Sequence, residues 1–379
     1  MIYLDNAAST PLDPEIAAGI ASRWAYAFAN PSSSHGAGRT ARKLLDESRE
    51  RLASAIGGKG SQVIFTGGGT EALVLAIFGS AGPAPARIAI SAVEHAAVRT
   101  AAETLRDRMG WQLDTVPVNS QGQVTPELLE EHLFPETRIV ALMLANNEVG
   151  AISDVPTLAQ LVRRRAPRAK FVTDAVQAMG KTKIDVQQLD VDLLIATAHK
   201  LHGPKGVGML WARQPQSLRP WAAAGGQEQG LRGGTQTGPL AWGFAEAVDR
   251  MLAASHSELE ARSIALFERL QDALPDIQLN GPAFGSERLC HLLSLTLPGV
   301  PGQPLLNALS ARGVCVSSGS ACSSGKAFSR TLQAMGKTPD DGGVIRLAIS
   351  RFVSDEELDR AVAIFTEEAH SLRQVYSNP

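Results

Sequence analysis

The sequence is short of cysteine, of net charge and of long apolar runs, and each shortage removes a class of protein. Its three cysteines, Cys290, Cys315 and Cys322, make an odd count without a CxxC pair, which argues against a disulfide framework and against a structural zinc site. With 36 Lys+Arg against 38 Asp+Glu the formal net charge is -2, so no cationic surplus draws nucleic acid or a membrane surface by field alone. The most apolar run, "EALVLAIFGSAGPAPARIAI", is broken by Gly and Pro well short of a bilayer span. The start "MIYLDNAAST" has no basic n-region and carries Asp5, unlike a signal peptide. No internal repeat or low-complexity tail is present. A cytoplasmic protein is expected, acting on a small molecule or a protein partner, with no metal site.

What is present is enough for about two domains: 379 residues, 44% of them hydrophobic. Between about 60 and 215 the short runs "QVIFT", "RIAISAV", "RIVALML", "KFVTDAV", "VDLLIATA" and "GVGMLWA" alternate with helical patterns, which predicts a largely parallel sheet covered on both faces. Residues 220–240 are Gly-rich and without period, a long functional loop or a crossing between regions. A helical stretch over roughly 241–272 leads to a smaller α+β region near 255–379. There "HLLSLTL" and "VIRLAIS" alternate like half-buried strands, and Ser354 with Glu357 forms a capping box before a long amphipathic helix. Cys290 and Cys315 read as small buried strand residues. Cys322, within the Ser/Gly run "SSGSACSSG", reads as a loop thiol.

Ligands of parallel sheets bind where strands end, and unusual residues collect there. "VIFTGGGTEALVLAIFG" runs from strand through Gly-rich turn to helix. Gly68, Gly69, Thr70 and Glu71 are candidates to cradle a phosphate on the helix N-terminus, or the glycines serve only a tight turn. Asp174 ends another strand, either capping a helix or pairing with a protonated ring nitrogen, with Gln177 three residues on. Lys200 sits where an apolar strand meets a Gly/Pro loop. Desolvation there makes its amine a nucleophile toward an aldehyde, unless it is a solvated loop lysine. Thr197 and His199 can hold a phosphate. His95 can stack on a flat ring, move a proton, or be structural, while Asn146 and Asn147 can bond a phenolic oxygen or build a turn. Together these are the parts of a pyridoxal phosphate site.

In order and spacing, "YLDNAASTPLDP", "NPSSSHGAGR", "GGGTEA", "VEHAAV", "NNEVG", "TDAVQAMGK", "AHKLHGPKGVG", "RGGTQ", "SSGSACSSG" and "IRLAISR" resemble the motifs of the cysteine desulfurases, the class V branch of pyridoxal-phosphate-dependent enzymes. The resemblance covers essentially the whole chain, and "KAFSRTLQAMGKTPDDGG" resembles the group with the longer, mobile loop. It implies the α/β aspartate aminotransferase-like fold (fold type I), with a large mostly parallel-sheet domain at 15–254. A smaller domain, residues 1–14 with 255–379, would carry the catalytic cysteine loop.

It further implies Lys200 as the lysine linked to the cofactor aldehyde, Asp174 as partner of the pyridine nitrogen and His95 as the ring-stacking residue. Gln177 and Asn147 would bond the phenolate, and Gly69, Thr70, Glu71, Thr197 and His199 would contribute to the cofactor site. Thr235 would reach the phosphate of the neighbouring subunit of a homodimer. Arg346 would clamp the substrate carboxylate, assisted by Asn30. The implied reaction takes sulfur from L-cysteine, leaving L-alanine and a persulfide on Cys322. A protein acceptor such as an iron–sulfur scaffold or a thiolation enzyme would then receive the sulfur. His95 would assist by accepting the substrate thiol proton. Transaminases and selenocysteine lyases share the fold, but a transaminase has no use for Cys322.

Overall fold

The computed structural model describes residues 1–222, 225–319 and 328–377. Seven strands form the main sheet in the spatial order Val63–Thr66, Gly208–Ala212, Leu193–Thr197, Lys170–Asp174, Thr137–Ala141, Arg87–Ser91, Gln112–Val116. Gly208–Ala212 runs antiparallel to both its neighbours, and the other pairings are parallel. The six apolar runs read from the sequence each supply one strand. The seventh, Gln112–Val116, is exposed or half-buried over its first four residues and buried only at Val116; at the sheet edge, with one side paired, a mixed sequence such as "QLDTV" suffices. No helix among the described residues is long and apolar enough to cross a membrane.

The mostly parallel sheet with helices matches the expected fold. The C-terminal ends of the six strands other than Gly208–Ala212 share one edge, and register places the Gly-rich turn there. Thr66 pairs with Gly208, and Gly208 with Thr197. Gly208 is required at that crossing, since a Cβ there would stand 2.6 Å from the carbonyl carbon of Gly68.

Beside this sheet, Leu292–Leu297 lies between Gly343–Ala348 and Gln278–Leu279 in an antiparallel sheet. The expected half-burial does not hold, because every residue of Leu292–Leu297 is buried. Its polar members are satisfied internally: the Asn280 amide nitrogen donates to Thr296 Oγ1 at 2.9 Å and Ser294 Oγ at 3.3 Å. The predicted helix over 241–272 is two helices, Gly238–Ala253 and His256–Ala273, the second capped by Ser255. The terminal helix Asp355–Ser377 opens with the expected capping box, Glu357 N donating to Ser354 Oγ and Ser354 N to Glu357 Oε2. The N-terminal residues Ile2 and Leu4 join the core of Leu293, Leu295, Leu347, Leu358 and Phe365.

Of the two other cysteines, Cys315 lies in the strand Val314–Cys315 and is half-buried. Cys290 is half-buried in the turn that precedes Leu292–Leu297 rather than in a strand. Burial pushes its thiol up to about 11, which keeps it protonated and unreactive.

Candidate active site

The loops after four parallel strands, the Gly-rich turn, the N-terminal segment and Arg346 enclose a cavity of about 260 Å³. Gly69, Thr70, His95, Asn147, Asp174, Gln177, Thr197, His199, Lys200 and Arg346 all line it, as do the backbone-bearing Ala7 and Ala8. The topology explains the convergence: in a parallel sheet, residues just past successive strands become neighbours whatever their separation in sequence.

Lys200 Nζ donates to the carbonyls of Ala7 at 2.7 Å and Ala8 at 2.5 Å. Asp174 is buried, and its Oδ1 accepts from Val176 N at 2.9 Å. Desolvation raises its pKa, against the Val176 amide, His95 and Lys200, which lower it. His95 caps the helix Ala96–Met109, its Nδ1 accepting from Ala97 N at 3.1 Å. Burial above all lowers its pKa, so the ring is neutral, and with Nδ1 engaged its proton sits on Nε2. In this arrangement the ring presents an N–H at Nε2. His199 is pulled down to about 4 by burial and then by Lys200, and its Nδ1 lies 3.2 Å from Ser9 Oγ.

Arg346 is almost fully buried. It donates to the Asn147 carbonyl at 2.8 Å and to Asp5 Oδ1 at 2.7 Å, and its Nε has no partner among the described residues. Thr197 commits its one hydroxyl hydrogen to the Val207 carbonyl at 3.0 Å. Glu71, Asn30 and Thr235 lie off the cavity lining. The Glu71 carboxylate accepts from Gly67 N and pairs with Arg232 at 2.8 Å, so it serves the turn. Asn30 is exposed, its side-chain oxygen accepting from Ser32 N at 2.9 Å, and Thr235 is exposed on a loop. Cys322 lies outside the described residues. The chain on either side of it is anchored beside the cavity, where Ser317 N donates to the Arg346 carbonyl at 3.3 Å and Ser329 Oγ to Glu148 Oε2 at 2.5 Å.

Reading the sequence missed Asp5, the anion beside Arg346, although it stands in the quoted motif "YLDNAASTPLDP". It also missed Glu94, whose Oε1 accepts from Met143 N at 2.7 Å while Oε2 is buried without a partner among the described residues. Adjacency to His95 was the one available signal.

Pyridoxal phosphate fits this donor set. The helix Gly69–Ser80 has no side-chain cap, and a Cβ on Gly68 would meet nothing within 4 Å, leaving an open helix N-terminus for an anion. A buried carboxylate suits a protonated ring nitrogen. Gln177 Nε2 keeps a second hydrogen beyond its 2.8 Å bond to the Ala7 carbonyl, and its buried Oε1 has no partner among the described residues.

A sequence model of the class-V aminotransferases matches residues 2–361. A protein named cysteine desulfurase from Cereibacter sphaeroides is 35% identical over 378 residues, 98% of this chain and 96% of that one. Among solved structures, a NifS-like protein superposes with a TM-score of 0.90 at 31% identity, covering 98% of this chain and 100% of its own. A protein solved as SspA in complex with cysteine gives a TM-score of 0.82 at 27% identity, covering 93% and 100%.

Proposed function

The chain belongs to the class-V aminotransferase family, and on that premise we propose how its residues carry out the pyridoxal-phosphate-dependent desulfuration of L-cysteine. The observation that carries the reading is one cavity holding an amine, a buried carboxylate, a neutral imidazole and a buried guanidinium with a spare donor. The bound cofactor supplies an aldehyde that links to amines and a ring that withdraws electrons from the linked carbon. Asp174 keeps the ring nitrogen protonated, while Gln177 and Asn147 bond the phenolate and His95 stacks on the ring. Gly69, Thr70 and His199 hold the phosphate, joined by Thr197 once its hydroxyl turns from Val207, and by Thr235 from the other subunit of a homodimer.

Arg346, assisted by Asn30, binds the substrate carboxylate and fixes which bond at Cα is exposed to Lys200. The Lys200 amine removes the Cα proton. Cys322, as thiolate, attacks the substrate sulfur: a sulfur–sulfur bond forms, the carbon–sulfur bond breaks with its electron pair left on carbon, that carbon takes a proton, and Lys200 returns a proton to Cα. L-cysteine and the Cys322 thiol thus become L-alanine and a Cys322 persulfide without an external oxidant or reductant. Residues 15–254 form the cofactor domain, and residues 1–14 with 255–379 the domain bearing Cys322. The persulfide passes to a protein acceptor in the cytoplasm, an iron–sulfur scaffold or a thiolation enzyme.

Alanine release from L-cysteine with a reductant tests the reading. Wild type produces alanine, and Cys322→Ala almost none. Equal release from both removes Cys322 from the chemistry.

A further inference from the structure

A second cavity, also about 260 Å³, shares Lys200 with the first and has an otherwise separate lining. Three of its residues are buried polar groups with unmet hydrogen-bonding capacity. Among the described residues Lys181, 8% exposed, has no partner for its Nζ. His291 is 2% exposed and neither ring nitrogen has one. Asn6, 2% exposed, has an unpartnered Oδ1. Native interiors seldom leave such groups unsatisfied, and three around one cavity point to an occupant that bonds them.

The surrounding charge fixes the sign of that occupant. Arg262 and Arg351 on the same wall are already paired, with Asp355 at 2.9 Å and Asp13 at 2.5 Å. Lys181 is left without a partner among the described residues, against one lining carboxylate there, Glu258, which is exposed. A neutral His291 ring adds an N–H donor, since burial and then Lys181 hold its pKa well below the usual histidine range. Met251, Leu259 and Ile349 make the rest of the wall apolar. We propose that this cavity binds a small organic monocarboxylate, its carboxylate on Lys181 and His291 and its aliphatic part against Met251, Leu259 and Ile349. A dianion would exceed the charge of one lysine, and an ammonium group on the ligand would face Lys181 unfavourably. Burial and then Lys200 pull the Lys181 ammonium down to about 7, so a carboxylate beside it stabilises the charged form.

Butyrate binding to the holoenzyme, followed by calorimetry, tests this independently of the reaction. Wild type should show saturable binding that weakens at least about tenfold in both Lys181→Met, which removes the cation, and Leu259→Trp, which fills the cavity and leaves its polar wall intact. Absence of saturable binding in wild type overturns the proposal. So does unchanged affinity in either variant, the pattern that binding at Arg346 would give.

Discussion

The two cavities that meet at Lys200 treat buried charge in opposite ways. In the first, Arg346 faces Asp5, Asp174 accepts from the Val176 amide, and His95 is fixed by the Ala97 amide. In the second, Lys181 and His291 are as deeply buried and their side-chain nitrogens have no partner among the described residues. A buried ion costs several kcal/mol unless its surroundings compensate it. Compensation within the protein makes the first cavity rigid before any ligand arrives, as a site that must orient reacting groups requires. The second cavity leaves its compensation to a ligand, which suits binding rather than chemistry.

The largest expected effect comes from breaking the compensated pair. Asp5→Asn keeps a side-chain acceptor near Arg346 but removes the charge, leaving a buried guanidinium with only backbone and amide oxygens. Denaturant unfolding should show a loss on the order of 3 kcal/mol. A loss near zero would mean that Arg346 needs no anion, and the contrast between the cavities would fall.

The reverse change should stabilise. Lys181→Met removes an unsatisfied buried amine from an apolar setting, a gain on the order of 1–3 kcal/mol near neutral pH. Its pH dependence has a definite sign. The folded-state pKa is lowered to about 7 from 10.5, so below 7 the folded protein must bury a charge that the unfolded chain keeps in water. Between 7 and 10.5 only the unfolded chain holds the proton, and wild-type stability rises with pH. The advantage of Lys181→Met should therefore be largest at or below pH 7 and shrink toward pH 10. An advantage that stays constant with pH would show that Lys181 has a compensating partner.

Asp174, His95 and Lys200 were legible because each follows an apolar strand of a sheet whose strand ends must converge. The same rule gave six strands of the main sheet and missed Gln112–Val116, whose edge position relaxes the need for an apolar run. Asp5 was not legible as a partner of Arg346, because the two stand 341 residues apart and meet only once the fold brings the N-terminal segment beside Ala348. Glu71 was placed correctly at a helix start, but sequence does not reveal whether a first-turn carboxylate points outward to a ligand or folds back. Here the Gly67 amide and Arg232 hold it. Lys181, four residues past Gln177 in a quoted motif, drew no attention, since only the closure of the chain around it creates an unpaired cation.

Glu94 stands between the two modes, with one carboxylate oxygen bonded and the other unsatisfied, and it gives the smallest and most selective test. Desolvation first, then the charge of Asp174, raises its pKa well above the ordinary carboxyl value. A group protonated longer in the folded state than in the unfolded chain contributes stability that is present at low pH and is lost as pH rises through the folded-state value. Glu94→Gln keeps the acceptor for the Met143 amide and cannot ionise. The variant should match wild type within about 1 kcal/mol near pH 4, where both side chains are neutral, and gain on it steadily toward neutral pH, as read from urea midpoints across that range. A parallel pair of stability curves would mean that Glu94 is charged in the folded protein. Its second oxygen would then have to be compensated as fully as the Asp5–Arg346 pair.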